Sequence, residues 1–273
     1  MSDNIAFIGG GNMARSLIGG LIAKGRAPSS IHVAEPVAAL RDALQADFGV
    51  SVLDTGTAAV SGASTWVFAV KPQVMRMVCE SLAAQAQVQR PLVISIAAGI
   101  TGDQLERWLG GALPVVRTMP NTPALLGAGV TGLHASDQVD ADGRAFAETL
   151  LAAAGKTVWI DSEDLMDAVT AVSGSGPAYV FLLAEAMIDA GISEGLPADA
   201  ARTLALQTVL GAARMLTEAG APDAAELRRR VTSPNGTTHA AIESFEAGGL
   251  RALVASAIHA ARKRGRELSA ANE

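Results

Sequence analysis

A glycine turn set between a short apolar run and an amphipathic stretch constrains this chain more than any other feature. Gly9-Gly-Gly11-Asn-Met-Ala14 follows Ile5-Ala-Phe-Ile8 and leads into the helical pattern of Met13–Lys24. It fits G-x-G-x-x-A at a strand-to-helix junction, the phosphate-binding turn that heads a βαβ unit. Gly9 permits the tight turn, Gly11 lets backbone approach a pyrophosphate, and Ala14 lets the helix pack close to the strand. The free N–H groups around Asn12 and Met13, at the helix start, face the phosphates.

The pattern beyond the turn is alternating. Apolar β-type runs at Ile5–Ile8, Ile31–Ala34, Trp66–Val70, Leu92–Ile96, Val115–Thr118, Gly129–His134 and Thr157–Ile160 predict strands. Helical patterns fall between them at Met13–Lys24, Val37–Asp47, Pro72–Ala84 and Ala141–Ala153. Such alternation predicts a mostly parallel, doubly wound sheet of the Rossmann type with helices on both faces. From about Glu163 the pattern turns wholly helical: Asp164–Ala171, Pro177–Ala190, Pro197–Ala219, Asp223–Val231, Thr237–Ala247 and Leu250–Ser269. Gly191, Gly195, Gly220 and Gly248-Gly249 read as helix punctuation. The chain thus reads as α/β: a dinucleotide-binding domain over 1–162 and an all-helical domain over 163–273.

In open α/β sheets ligands bind beyond the carboxyl ends of the strands. Glu35 stands there, about twenty residues past the glycine turn, where an acid accepts hydrogen bonds from an adenosine ribose and repels a 2′-phosphate. The alternative is a solvated carboxylate turned outward, with room for a phosphate held by Arg41 or backbone amides. Ala69-Val70-Lys71-Pro72 and Ala97-Ala98-Gly99 end two further strands, with small residues that admit a cofactor against main chain. Lys71 is open to three readings: catalytic, phosphate-binding or solvated. Asn121, in Met119-Pro-Asn-Thr-Pro123, is a candidate amide partner for nicotinamide or substrate.

Two small, polar segments open helices in the second half: Ser173-Gly-Ser175-Gly-Pro177 and Ser233-Pro-Asn235-Gly236-Thr237-Thr238. Hydroxyls and unpaired backbone N–H groups at a helix start suit a small carboxylate. The residues absent also narrow the chemistry. His32, His134, His239 and His259 lack ligand spacing, and Cys79, the lone cysteine, has no partner motif, so no metal site is expected. A net charge of -6 argues against a nucleic-acid groove. No signal peptide is read, and Tyr179–Ala184 is too short an apolar run to span a bilayer, which takes about 20 residues. The expected compartment is the cytoplasm, and the expected chemistry is a cofactor's hydride transfer. Hydrophobic residues make up 49% of the chain but aromatics only 4%, so its core needs close helix packing, continued across a subunit interface.

Together these segments resemble pyrroline-5-carboxylate reductase. The resemblance rests on Phe7–Ala14, Ala69–Pro72, Ser95–Gly99, Arg117–Pro123, Ser173–Tyr179 and Val231–Thr238, and it spans nearly the whole chain. It implies reduction of L-1-pyrroline-5-carboxylate to L-proline with NADPH, or NADH, as the final step of proline biosynthesis. It also implies a Rossmann domain followed by a dimerisation domain with interleaved helices, and a homo-oligomer built from dimers, commonly a decamer. Carried over by motif, Ser233 and the backbone N–H groups through Thr238 hold the substrate carboxylate, and Thr238 places its hydroxyl near the ring nitrogen. Asn235 departs from the glycine frequent at its position. The family often uses NADPH, and Glu35 is an acid where a phosphate binder is expected.

Two other readings use related architecture. β-Hydroxyacid dehydrogenases and imine reductases share it, but those dehydrogenases carry a lysine on the first long helix of the second domain, and Tyr179–Ala190 has none. A non-enzymatic NADPH sensor would not need the second hydroxyl-rich segment.

Overall fold

A computed structural model describes residues 4–272. They form two compact units: residues up to Ser175 together with those from Ala260 onward, and Gly176–His259.

The first unit is built on one eight-stranded sheet. Its strands are β1 (Ile5–Ile8), β2 (Ile31–Ala34), β3 (Ser51–Leu53), β4 (Thr65–Phe68), β5 (Leu92–Ser95), β6 (Val115–Met119), β7 (Gly129–Ala135) and β8 (Gly155–Trp159). Their order is β3-β2-β1-β4-β5-β6-β7-β8. Every pairing is parallel except β6 with β7. Around the sheet lie α1 (Asn12–Ala23), α2 (Ala38–Phe48), α3 (Gly56–Ala59), α4 (Pro72–Gln89), α5 (Gly102–Trp108) and α6 (Ala141–Leu151). The chain order reverses between β1 and β4, so the switch-point crevice opens at their carboxyl ends.

The alternation of side chains along each strand explains why these runs are apolar throughout. Ile5, Phe7, Val67 and Ile94 point to one face, with Leu17, Ile18 and Leu151 from the helices there. Ala6, Ile8, Trp66, Phe68 and Val93 point to the other, against Met75, Cys79, Leu82 and Trp108. Three short elements, β3, α3 and α5, escape the sequence reading. β3 is a three-residue edge strand with no fully buried side chain. α5 is a short helix that starts with a capping box, in which Thr101 accepts from the Gln104 amide and the Gln104 side chain accepts from Thr101.

The helical half begins differently from expectation. In place of one helix over Asp164–Ala171 and a fresh start at Ser173, a 3₁₀ turn at Glu163–Leu165 leads into α7 (Met166–Val169). A π turn at Thr170–Gly174 then passes into α8 (Gly176–Ser193). Ser175 N–H donates to the Thr170 carbonyl at 2.8 Å, so this segment is a bulge in a helical run rather than an open helix end. Because the bulge joins the helices, Glu163–Ser193 is long and apolar enough to cross a membrane by length and composition alone, unlike the shorter stretch read from sequence. Its first turns, however, are held to the sheet by buried charges.

Those charges centre on Arg117 of β6, whose side chain is 5% exposed. It donates to Glu163 at 3.1 Å and to Asp167 at 3.3 Å. Glu163 also accepts the Gly102 amide at 2.7 Å, at the start of α5. Gly265, near the chain's end, packs against Asp167, where a Cβ would lie 3.2 Å from the carboxylate.

The second unit holds α8, α9 (Ala198–Thr217), α10 (Ala224–Arg230), α11 (Thr237–Ala247) and the first part of α12 (Leu250–Ala271). α8 pairs with α9. Gly191, read from sequence as a break, lies inside α8, where a Cβ would come 3.3 Å from the Ala201 Cβ. It is small because two helices approach there. Only Ala184, Ala201 and Ala205 are buried in this unit, while Phe181, Leu182, Leu204 and Leu253 are more than half exposed.

Arg117→Ala is expected to destabilise the first unit by about 3 kcal/mol, because two carboxylates are left in a site built for one cation. Glu163→Gln keeps an acceptor for Gly102 and is expected to cost about 1 kcal/mol. Chemical denaturation followed by tryptophan fluorescence checks both.

Candidate functional site

The β1–α1 turn is shaped by close backbone approach. Gly9 takes φ +105°, and a Cβ there would lie 2.8 Å from the Ala69 carbonyl oxygen. The turn therefore lies flush against the end of β4. Gly9 N–H donates to the Ala34 carbonyl, tying the turn to β2 as well. A Cβ on Gly11 would meet nothing within 4 Å, so that face is open. The helix start has no side-chain cap, and its first-turn N–H groups, including Asn12 and Met13, lack helical partners. Ala14 is fully buried against the sheet. Bare amides at a helix start beside an open glycine face fit a pyrophosphate.

Glu35 takes neither orientation weighed from sequence. It is 7% exposed and folded beneath the turn. One carboxylate oxygen accepts from Gly10 N–H at 3.1 Å and the other from Val37 N–H at 3.0 Å. Arg41 donates one guanidinium nitrogen to the carbonyls of Glu35 and Pro36, each at 2.8 Å.

The other strand ends divide. Ala69 and Val70 are half-buried, Lys71 is exposed as the N-cap of α4, and Pro72 opens that helix. Ala97 is buried and Ala98 half-buried. Gly99 faces the chain's own last helix: a Cβ would lie 3.3 Å from Leu268, and its carbonyl accepts from Asn272 at 3.1 Å. Its smallness serves helix packing. Asn121 is occupied at both ends of its amide, donating to the Ser173 carbonyl at 3.1 Å and accepting from Val130 N–H at 2.9 Å. It braces the π turn against β7. Ser173 donates its hydroxyl to the Val169 carbonyl, and the Ser175 amide is held by the Thr170 carbonyl, so both are engaged within the helical run.

The second unit presents the other polar segment at the start of α11. Asn235 takes φ +59°, the left-handed region that asparagine enters more easily than most residues. Gly236 N–H closes the turn on the Ser233 carbonyl at 3.0 Å. Gly236 is the N-cap with no side-chain cap, so the first-turn N–H groups from Thr237 onward point out of the helix end. Ser233, Thr237 and Thr238 are exposed around it. Uncapped backbone amides ringed by hydroxyls at a helix start suit a small anion.

Thiol chemistry does not compete. Burial, with Glu80 nearby, pushes the Cys79 thiol up to about 12, so it carries no thiolate near neutrality. Among the described residues no group of three or more His, Cys, Asp or Glu side chains is placed to hold a metal ion. Arg117, Glu163 and Asp167 received no role from sequence. Their signal, an arginine inside an apolar strand pattern, requires a buried partner without saying which carboxylate supplies it.

Residues 163–268 match the family model described as pyrroline-5-carboxylate reductase dimerisation, and residues 4–99 that described as NADP oxidoreductase, coenzyme F420-dependent. The chain is 52% identical over 268 residues to pyrroline-5-carboxylate reductase of Pseudomonas aeruginosa, covering 98% of this chain and 97% of that one. It is 44% identical to the Synechocystis enzyme of the same name over 98% of this chain and 99% of that one. A solved pyrroline-5-carboxylate reductase of Coxiella burnetii superposes with a TM-score of 0.94 at 44% identity, covering 98% and 99% of the two chains. The Plasmodium falciparum pyrroline carboxylate reductase, solved with NADP bound, superposes with a TM-score of 0.84 at 26% identity over 98% and 99%. This chain belongs to the pyrroline-5-carboxylate reductase family.

Proposed function

We propose that this chain reduces L-1-pyrroline-5-carboxylate to L-proline with NADPH, the closing step of proline biosynthesis. The observation that carries the reading is the pair of helix starts left uncapped. One, at α1, is fitted to a dinucleotide pyrophosphate; the other, at α11, is fitted to a small carboxylate. NADPH, when bound, supplies the hydride that reduces the C5–N double bond, and NADH offers the same chemistry.

The chain's own residues bind and orient. Gly11, Asn12 and Met13 hold the pyrophosphate on a turn shaped by Gly9 and Ala14, with Ala69, Val70, Lys71, Pro72, Ala97 and Ala98 lining the crevice. At the start of α11, Ser233 and the amides of Gly236, Thr237 and Thr238 hold the substrate carboxylate, which fixes the ring in one orientation. Asn235 shapes that turn. Thr238 sets its hydroxyl near the ring nitrogen and holds the proton that nitrogen needs as C5 is reduced. Orientation by a weak hydroxyl is enough, because aligned reactants recover several kcal/mol of barrier. Asn121, Ser173 and Ser175 support the π turn.

The chain works as a homo-oligomer in the cytoplasm, with dimers that associate further into a decamer. The exposed Phe181, Leu182, Leu204 and Leu253, on a unit with three buried residues, support a partner-completed core. No nucleic acid or membrane takes part.

Pyrroline-5-carboxylate should drive loss of reduced-cofactor absorbance, with NADPH and NADH compared side by side; no oxidation of either sinks the proposal. Thr238→Ala is expected to lower kcat/KM roughly tenfold to a hundredfold, the loss of one hydrogen bond at the reacting centre, with cofactor affinity unchanged. Unchanged kinetics would remove Thr238 from the mechanism. Asn235→Gly is expected to keep activity, whereas Asn235→Val, β-branched in a left-handed position, is expected to raise the substrate KM about tenfold. Steady-state kinetics of the two variants separates backbone geometry from side-chain contact.

A further inference from the structure

The carboxyl end of β2 carries an acid whose placement contradicts the usual consequence of its position. An acid there discriminates between NADH and NADPH only if its carboxylate faces the adenosine ribose. Glu35 instead turns back under the glycine turn, where both oxygens are engaged by main-chain amides and little of the residue meets solvent. The space it occupies is defined from both sides. A Cβ on Gly10 would lie 2.5 Å from Leu44 Cδ1 and 3.3 Å from a Glu35 carboxylate oxygen, so the turn rests directly on these two side chains. Arg41 bonds the main-chain carbonyls of Glu35 and Pro36 and so braces the loop after β2 from which the Glu35 side chain turns back.

We propose that Glu35 is a positioning residue for the cofactor turn rather than a ribose ligand. It fixes the Gly10 amide from beneath, so the next amides along the turn present to the pyrophosphate. The crevice end of β2 thereby accepts NADPH despite its acid. The proposal rests on the reading that the glycine turn binds a nicotinamide dinucleotide. It extends that reading by separating two roles that a sequence motif merges. Gly10 needs a buried acceptor, because an amide shut away from water without a partner is costly. The Val37 amide, at the more exposed N-cap of α2, holds the second carboxylate oxygen and so fixes the direction of the side chain.

The test uses the intact oligomer and two variants. Glu35→Gln keeps the size but places an amide nitrogen against one of the two N–H donors. Glu35→Asp keeps the charge but shortens the reach to Gly10. Binding of NADPH and of NADH is titrated by reduced-nicotinamide fluorescence, with no imine present, and hydrogen exchange is followed by mass spectrometry in the peptide covering Gly9–Ala14. For both variants, Kd is expected to rise together for the two cofactors, by roughly tenfold, and exchange in that peptide to speed up. A merely structural loss would lower thermal stability without this parallel shift. Weaker NADH binding with unchanged or tighter NADPH binding would show that Glu35 holds the ribose and would overturn the proposal. So would unchanged exchange at the turn in both variants. A wild-type chain that binds neither cofactor would instead refute the function proposed above, while the exchange measurement would still decide whether Glu35 holds the turn.

Discussion

The approach of Gly9 to the Ala69 carbonyl sets the position of the β1–α1 turn, and the geometry of the crevice follows from it. No side chain fits there, so the β1–α1 turn lies flat against the end of β4. That flatness brings the start of α1 to the switch point of the sheet, and it leaves the Gly11 face open. The same logic recurs at a distance. Gly132 and Gly174 make room for Val169 and Met119, and Gly191 for Ala201, so small residues mark where elements meet. An aromatic-poor composition is the cost of a fold with so many close approaches.

Buried charge does the complementary work of joining elements far apart in sequence. Arg117 on a central strand gathers Glu163 and Asp167 from the first helical turns, and Glu163 reaches the start of α5. Removing Arg117 leaves two carboxylates without their cation, whereas removing either carboxylate leaves Arg117 paired with the other. Gln104, beyond its own capping box, donates to the Ser269 carbonyl and so ties the end of α12 to the same region. The beginning of the helical half and the end of the chain are therefore fastened to the sheet by polar contacts, while the strands themselves are held by apolar burial.

Gly176–His259 depends on neither device. Its helices leave long aliphatic and aromatic side chains in solvent and bury three alanines. Such a unit lacks a closed core of its own, and its ordered charges are surface pairs: Arg251 and Arg228 with Glu246, and Arg229 and Arg230 with Glu226. Exposed pairs of this kind add little stability. The apolar surface is what an association between copies would use.

The sequence by itself determined the α/β class, the glycine turn, most strands and the helical second half, because backbone periodicity and glycine chemistry are local. It located both helix starts that now form the candidate sites. It missed α5 even though Thr101 and Gln104 stand three apart as a capping box, a signal legible in the residues. The direction of Glu35, the occupation of Asn121, the helix packed on Gly99 and the bulge at Thr170–Gly174 were decided only by the tertiary structure. Each depends on which distant backbone amide, carbonyl or helix lies within reach of the residue. A motif specifies the residue type and its place on a strand end, and the packing of the surrounding elements determines which way its polar atoms point.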